Sequence, residues 1–285
     1  MPITGWTKLV GVWGHPVGHS RSPAMHNAAL EALGLDWAYV PFDVDPDPVN
    51  VGEAVAGLRA LGLIGVNVTV PLKEAVLPYV VVSEEAAQIG SVNTIHNRGG
   101  RLYGYSTDGA GFVRALEAVG QPAENRRVLL LGAGGSARAV AFALAARGCQ
   151  CRIANRTQVR AERLAADVCG HFPGAASTAG WGADAGAFDL LVNTTSLGMH
   201  PDEAAVPDLP PDAFAARPFV YDLIYAPPQT ALLRRAAGAG CGTSNGVGML
   251  VHQGALALAL WTGLSVEDMP VAAMERAVRQ SLEAV

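Results

Sequence analysis

The apolar run Val128 to Leu131 passes directly into Gly132, Ala133, Gly134, Gly135, Ser136 and Ala137, and no other stretch of the chain restricts its fold so tightly. A buried strand that ends in a G-x-G-x-x-G/A turn and opens a helix is the start of a doubly wound α/β domain. Each small residue has its own task. Gly132 permits the tight turn, Gly134 lets the backbone approach a pyrophosphate, and Ala137 lets helix and strand pack closely. The phosphates of a dinucleotide then lie at the positive end of the helix.

The pattern continues as expected for such a domain, with a helix over Ala137 to Arg147 and a second strand over Cys151 to Ala154. The residues after that second strand choose the dinucleotide, because a carboxylate there would bind the ribose 2′-hydroxyl of NAD. This chain instead has Asn155, Arg156 and Thr157, with Arg160 one helical turn further and no carboxylate before Glu162. Two guanidiniums and a hydroxyl suit a 2′-phosphate, and positive charge at a helix start calls for an anion. The expected cofactor is therefore NADP. Another strand is expected over Asp189 to Asn193, and the loop Asn193 to Met199 (NTTSLGM) follows it at the edge where ligands bind in open α/β sheets.

The region before the glycine motif reads as a separate α/β unit. Strands are expected at Lys8 to Gly14, Tyr39 to Val44 and Gly65 to Val70, with helices at Ala24 to Leu33 and Val49 to Leu61 between them. Such alternation implies a mainly parallel sheet. A polar turn at Asn97 to Arg101 joins two more strands, a helix runs from Ala110 to Val119, and Gly120 to Arg127 is a candidate linker. Beyond a strand at Phe219 to Asp222, helices are expected over Met249 to Trp261 and Val271 to Leu282, following Gly246 and Gly248.

Composition narrows the partners. A net charge of −5 without a basic run disfavours nucleic acid and anionic membrane surfaces. No basic leader with an apolar core opens the chain, so a cytoplasmic location is expected. The cysteines Cys149, Cys151, Cys169 and Cys241 lack zinc-site spacing and read as free thiols, and no metal is expected. A small-molecule substrate is the expected partner, and a second copy of the chain, in a homodimer, is the one macromolecular partner left open. Lysine is nearly absent: Lys8 and Lys73 stand against eighteen arginines. Unlike arginine, a partly desolvated lysine can exchange protons near neutrality.

Lys73 falls in one of four polar clusters that precede the glycine motif: Ser20 with Ser22; Asn67, Thr69 and Lys73; Asn93; and Thr107 with Asp108. Hydroxyls, amides, one amine and one carboxylate suit a small polyhydroxylated acid, whose oxygens need partners once water is excluded. Asp108 could equally cap the helix that follows it.

In their order and wording these clusters resemble the signature segments of the shikimate dehydrogenase family. The segments are GHPVGHSRSPAMHN (Gly14 to Asn27), NVTVPLK (Asn67 to Lys73), GSVNT (Gly90 to Thr94), TDGAG (Thr107 to Gly111), GAGGSAR, NRT, NTTSLGM, YDLIYAPPQTALL (Tyr221 to Leu233) and GMLVHQGALALALWTG (Gly248 to Gly263). The resemblance implies Lys73 and Asp108 as the catalytic pair, with Ser20, Ser22, Asn67, Thr69, Asn93, Tyr225 and Gln253 binding substrate. It implies NADP contacts from Gly132 to Ala137, Asn155, Arg156, Thr157, Arg160, Thr194, Thr195, Ser196, Met199, Gly246 and Met249. The implied reaction is reversible, NADPH-dependent reduction of 3-dehydroshikimate to shikimate, in chorismate and aromatic amino acid biosynthesis. The implied fold is two α/β domains flanking a cleft: a substrate domain of residues 1–108 plus 246–285 and a Rossmann-type NADP domain of 109–245. Ser106, Gly254 and Leu258 depart from the family's usual asparagine, alanine and phenylalanine. A quinate or aminoshikimate paralogue would keep the same pair, whereas a non-catalytic NADP sensor would have no need of it.

Overall fold

The computed structural model describes residues 3–182 and 187–283. The chain divides into two compact units, Met1–Gly111 with Leu250–Val285, and Phe112–Met249.

The first unit is built on strands β1 (Lys8–Gly14), β2 (Trp37–Asp43), β3 (Gly65–Val68), β4 (Val81–Val82), β5 (Thr94–Arg98) and β6 (Arg101–Tyr105). Their order across the sheet is β2-β1-β3-β5-β6-β4. The β1, β2 and β3 pairings are parallel, as helices α1 (Ser22–Ala32) and α2 (Pro48–Ala60) supply the crossovers. β5 runs antiparallel to β3 and β6, because only the Gly99–Gly100 turn separates it from β6, and both glycines have positive φ. Helix α2 begins where Asp47 accepts from the Val49 N–H, ahead of Pro48 at its first position. Helix α3 (Glu84–Ile89) is capped by Ser83 and closed by left-handed Gly90.

Two expectations change here. The strand expected to reach Val70 ends at Val68, since the Leu72 N–H returns to the Thr69 carbonyl and closes a turn. β4 and α3 were not expected, being too short for a periodic signal.

The second unit begins within helix α4 (Asp108–Ala118), which starts in the first. It contains strands β7 (Arg127–Leu131), β8 (Gln150–Ala154), β9 (Ala176–Thr178), β10 (Leu190–Asn193), β11 (Phe219–Asp222) and β12 (Thr243–Ser244). All their pairings are parallel and the order is β12-β11-β10-β7-β8-β9. Counted from β7 this is the 3-2-1-4-5-6 order of the dinucleotide-binding fold, with its switch point between β7 and β10. Helices α5 (Gly135–Ala145), α6 (Gln158–His171) and α7 (Ala231–Gly238) connect the strands. Residues 119–126 form the loop from α4 to β7; the expected linker of Gly120 to Arg127 thus lies within the second unit, the division between units falls inside α4, and Arg127 opens β7. β9, β12 and α7 were not among the expected elements, and of α6 only the start was. The last helices are α8 (Val247–Thr262), which enters the first unit at Leu250, and α9 (Val271–Glu283).

Within the first unit the Trp261 indole of α8 donates to the Ile95 carbonyl at 3.0 Å. Gly65 makes room for it, because a Cβ there would collide with the same indole. No helix among the described residues is long and apolar enough to cross a membrane.

Candidate active site

The carboxyl ends of β1, β3 and β6 and the amino end of antiparallel β5 gather most of the predicted substrate-site residues of the first unit. Ser22 opens α1, and its N–H donates to the Ser20 hydroxyl at 3.3 Å. Two serines at a helix N-terminus form a natural seat for a carboxylate. Thr69 follows β3 with its N–H on the Trp13 carbonyl, and a Cβ on Gly14 would strike the Thr69 methyl at 2.6 Å. That glycine therefore lets the first and second polar segments approach.

Lys73 lies four residues beyond Thr69, and its carbonyl accepts from the Val92 N–H at 3.0 Å. The Lys73 ammonium donates to Asp108 Oδ2 at 2.6 Å, with both side chains largely buried. Asp108 Oδ1 accepts from Asn93 Nδ2 at 2.8 Å, so the aspartate is held from two directions. The Asn93 amide also reaches Thr107 Oγ1 at 2.9 Å and Gln253 Oε1 at 3.3 Å, while its carbonyl accepts from the Thr107 N–H. Gln253 approaches because Gly111 has no side chain; a Cβ there would meet Gln253 backbone at 2.6 Å.

Asn67 occupies a different position in the network. Its amide donates to the Asn93 backbone carbonyl and the Thr94 hydroxyl, and its Oδ1 accepts from the Tyr39 hydroxyl at 2.8 Å. Asn67 is thus tied into the protein through both ends of its carboxamide. Tyr39, Thr94 and His26 surround it and were missed by sequence reasoning. For Tyr39 and His26 the available signal was polarity at buried positions of β2 and α1.

The dinucleotide turn follows β7 as expected. Gly132 has φ +109, and a Cβ there would run into the Thr194 hydroxyl, so the position demands glycine. Thr194 is fixed after β10 by its N–H and hydroxyl, both donating to the Leu131 carbonyl. Gly132 and Thr194 therefore meet at the switch point of the sheet. A Cβ on Gly134 would meet nothing within 4 Å, which leaves the backbone at the start of α5 open to approach. No side chain caps that helix. Ala137 is fully buried against the sheet.

After β8, Asn155 donates to the Thr157 carbonyl and shapes the turn into α6, whose N-terminus also lacks a side-chain cap. Arg156 and Arg160 are exposed there, and neither makes an ion pair among the described residues. The donor set fits a phosphorylated dinucleotide: helix starts without side-chain caps, a glycine-lined turn and two exposed guanidiniums.

The loop after β10 is braced from below. Asn193 accepts from the Thr195 N–H and hydroxyl, and donates to Asp222, a buried carboxylate that also binds the Thr230 hydroxyl at 2.7 Å. Burial raises the Asp222 pKa, opposed by these donors. Ser196 and Met199 lie exposed on this loop. Gly246 packs directly on the Leu223 carbonyl, the Met249 N–H donates to the Tyr221 hydroxyl, and Tyr225 follows β11; all three belong to the second unit. Among the described residues no cluster of His, Cys, Asp and Glu could hold a metal.

A doubly wound sheet with a dinucleotide turn, in one chain with a lysine–aspartate pair among hydroxyls and amides, defines a nicotinamide-dependent oxidoreductase. Within that class the chain belongs to the shikimate dehydrogenase family. Residues 12–95 match the shikimate dehydrogenase substrate binding domain, 115–196 the shikimate / quinate 5-dehydrogenase family, and 246–279 the shikimate 5′-dehydrogenase C-terminal domain. The shikimate dehydrogenase (NADP(+)) of Moorella thermoacetica is 48% identical, covering 98% of this chain and 95% of that one. A crystal structure of shikimate 5-dehydrogenase from Thermus thermophilus, in complex with NADP(H) and shikimate, superposes with TM-score 0.86 at 42% identity, covering 97% and 100% of the two chains. Quinate dehydrogenase from Corynebacterium glutamicum in complex with NAD gives TM-score 0.86 at 31% identity, covering 96% and 99%.

Proposed function

We propose that this protein is an NADP-dependent shikimate dehydrogenase whose catalytic pair is Lys73 and Asp108. The observation that carries the reading is the 2.6 Å ion pair between them, largely buried and surrounded by Asn93, Thr107 and Gln253. The second unit is the NADP domain, and the first binds substrate.

The dinucleotide turn and the helix starts of the second unit would hold NADPH, which when bound would supply the hydride for the substrate's carbonyl carbon. Lys73 delivers a proton from Nζ to the carbonyl oxygen, and in the reverse direction takes it back from the hydroxyl. Asp108 orients that ammonium through Oδ2 and is itself held at Oδ1 by Asn93, so the lysine has one direction in which to point. Ser20 and Ser22 receive the substrate carboxylate, while Thr69, Asn93 and Gln253 face its hydroxyls. Arg156 and Arg160 bind the 2′-phosphate, supported by the absence of ion-pair partners for either among the described residues. We place the enzyme in the cytoplasm.

The test is absorbance at 340 nm with shikimate or quinate, each with NADP or NAD. Turnover confined to shikimate with NADP is the expected outcome. Preference for quinate or NAD would overturn the specificity, and no turnover with any pair would leave an NADP-binding sensor. Lys73→Ala should lower kcat by roughly 10²–10⁴-fold, the usual contribution of a positioned acid–base group, with little change in substrate KM. Unchanged turnover would remove Lys73 from the mechanism.

A further inference from the structure

A buried aromatic group is hydrogen-bonded through Asn67, Thr94 and Asn93 to the Lys73–Asp108 pair and takes no part in the hydride or proton transfer. Tyr39, on edge strand β2, is 2% exposed. Its ring stacks on His26 of α1 with centroids 4.2 Å apart and planes 5° from parallel, and the Trp261 ring lies 6.3 Å away. Its backbone is clasped from the other side by Asn27. The Asn27 amide donates to the Tyr39 carbonyl, and the Tyr39 N–H donates to Asn27 Oδ1, both at 2.9 Å. Ring and backbone are therefore fixed independently, and the hydroxyl is held where it donates to a single carboxamide oxygen.

That oxygen is Asn67 Oδ1, at 2.8 Å, and the Ser22 side chain lies beside the same hydroxyl. A buried carboxamide can turn over by half a rotation and exchange its oxygen for its nitrogen. A tyrosine hydroxyl donating to the oxygen favours one of the two orientations. In that orientation Asn67 Nδ2 donates to the Asn93 backbone carbonyl at 3.3 Å and the Thr94 hydroxyl at 3.1 Å. Thr94 in turn donates to Asn93 Oδ1 at 3.1 Å. This fixes the Asn93 carboxamide so that its nitrogen faces Asp108. The chain of donors runs from Tyr39 through Asn67, Thr94 and Asn93 to Asp108, and so to Lys73.

We propose that Tyr39 is a positioning residue for the reaction: its hydroxyl sets the orientation of Asn67, and through Thr94 and Asn93 the orientation of Asp108 and Lys73. The inference rests on the function proposed above. His26 provides an uncharged face for the tyrosine ring, and Asn27 is the clasp that keeps the strand in register with the hydroxyl's target.

Wild-type turnover of shikimate with NADP is measured first, and its absence would sink the functional reading and this inference together. Given turnover, Tyr39→Phe keeps the ring and removes the hydroxyl. The expected result is a kcat lower by tenfold or more, toward the roughly 10²-fold loss that a 1 Å misplacement produces. The KM for NADP should be unchanged, and the pH profile of kcat displaced. Val55→Ala, a core truncation in α2, serves as the comparison; it should lower the melting temperature without moving the profile. In an Asn67→Ala background Tyr39→Phe should have no further effect on kcat, because its route to Asp108 and Lys73 is gone; an effect through Ser22 would appear in the KM for shikimate instead. A Tyr39→Phe enzyme with the wild-type kcat and pH profile, or one whose effect persists undiminished without Asn67, overturns the proposal. Should Tyr39→Phe not fold, Asn27→Ala releases the clasp and leaves the hydroxyl in place; a displaced pH profile then supports the proposal and an unmoved one refutes it.

Discussion

Acidification should destabilise this protein through His26 before most of its carboxylates titrate. The imidazole is fully buried between Tyr39, Trp261 and the α8 backbone at Gly254, and neither ring nitrogen has a hydrogen-bond partner among the described residues. Burial lowers its pKa from 6.5 to about 3, outweighing the neighbouring Asn67, which favours the charged form. Between those values the unfolded chain binds a proton that the folded chain does not, so stability must fall as pH drops from 6.5 toward 3. The slope for one proton is about 1.4 kcal/mol per pH unit, and the whole window amounts to roughly 5 kcal/mol. That is comparable with the total stability of many domains, about 5–15 kcal/mol. The assay is urea unfolding of wild type and His26→Leu at a series of pH values from 7 down to about 4, set against the one-proton slope. The variant loses the stack and starts less stable, but its line should be shallower by one proton's slope below pH 6.5. Other titrating groups, such as Asp189, whose carboxyl the hydrogen-bonding Arg127 holds low, contribute equally to both lines and cancel. Parallel lines would refute the reasoning, since they would mean that His26 takes up its proton without unfolding.

The two guanidiniums after β8 predict a split between cofactors. Arg156→Ala or Arg160→Ala should raise KM for NADPH by roughly 10- to 100-fold, the equivalent of about 1.5–3 kcal/mol for a charge-assisted hydrogen bond, and leave KM for NADH unchanged. Equal losses for both cofactors would show that the arginines do not read the 2′-phosphate. At Gly254 an added methyl would run into the Met25 Cε and come within 3.2 Å of His26 Nε2. Gly254→Ala should therefore cost about 1–3 kcal/mol by overpacking, seen in thermal melts. Combined with Met25→Ala it should cost much less, and strictly additive losses would rule out the clash.

Much of the fold is readable along the chain because its signals are local. An apolar run followed by GAGGSA defines β7, its turn and α5, since the turn geometry at Gly132 and the packing of Ala137 depend on adjacent residues. The limits of β1 and β11 coincide with the expected ones because each strand is bounded by a change in hydrophobicity. β4, β9 and β12 have two or three residues each, too few to establish a period, and they exist only because a neighbouring strand offers them backbone partners. Helix α7 did carry a signal, a Thr230 cap ahead of ALLRRAA, and could have been found.

The candidate site divides in the same way. The sequence alone determined the chemical inventory: a rare lysine in NVTVPLK, a carboxylate at the start of α4, paired serines where α1 begins and arginines in place of an acid after β8. These follow from residue type and from neighbours a few positions away. Only the tertiary structure decided which of those groups act on one another. Asn93 meets Gln253 across 160 residues of chain, Lys73 meets Asp108 across 35, and Tyr39 meets Asn67 across 28. Such pairings carry no local signature, because the energy that selects them comes from burying polar groups together and satisfying each with a partner once the strands are in register.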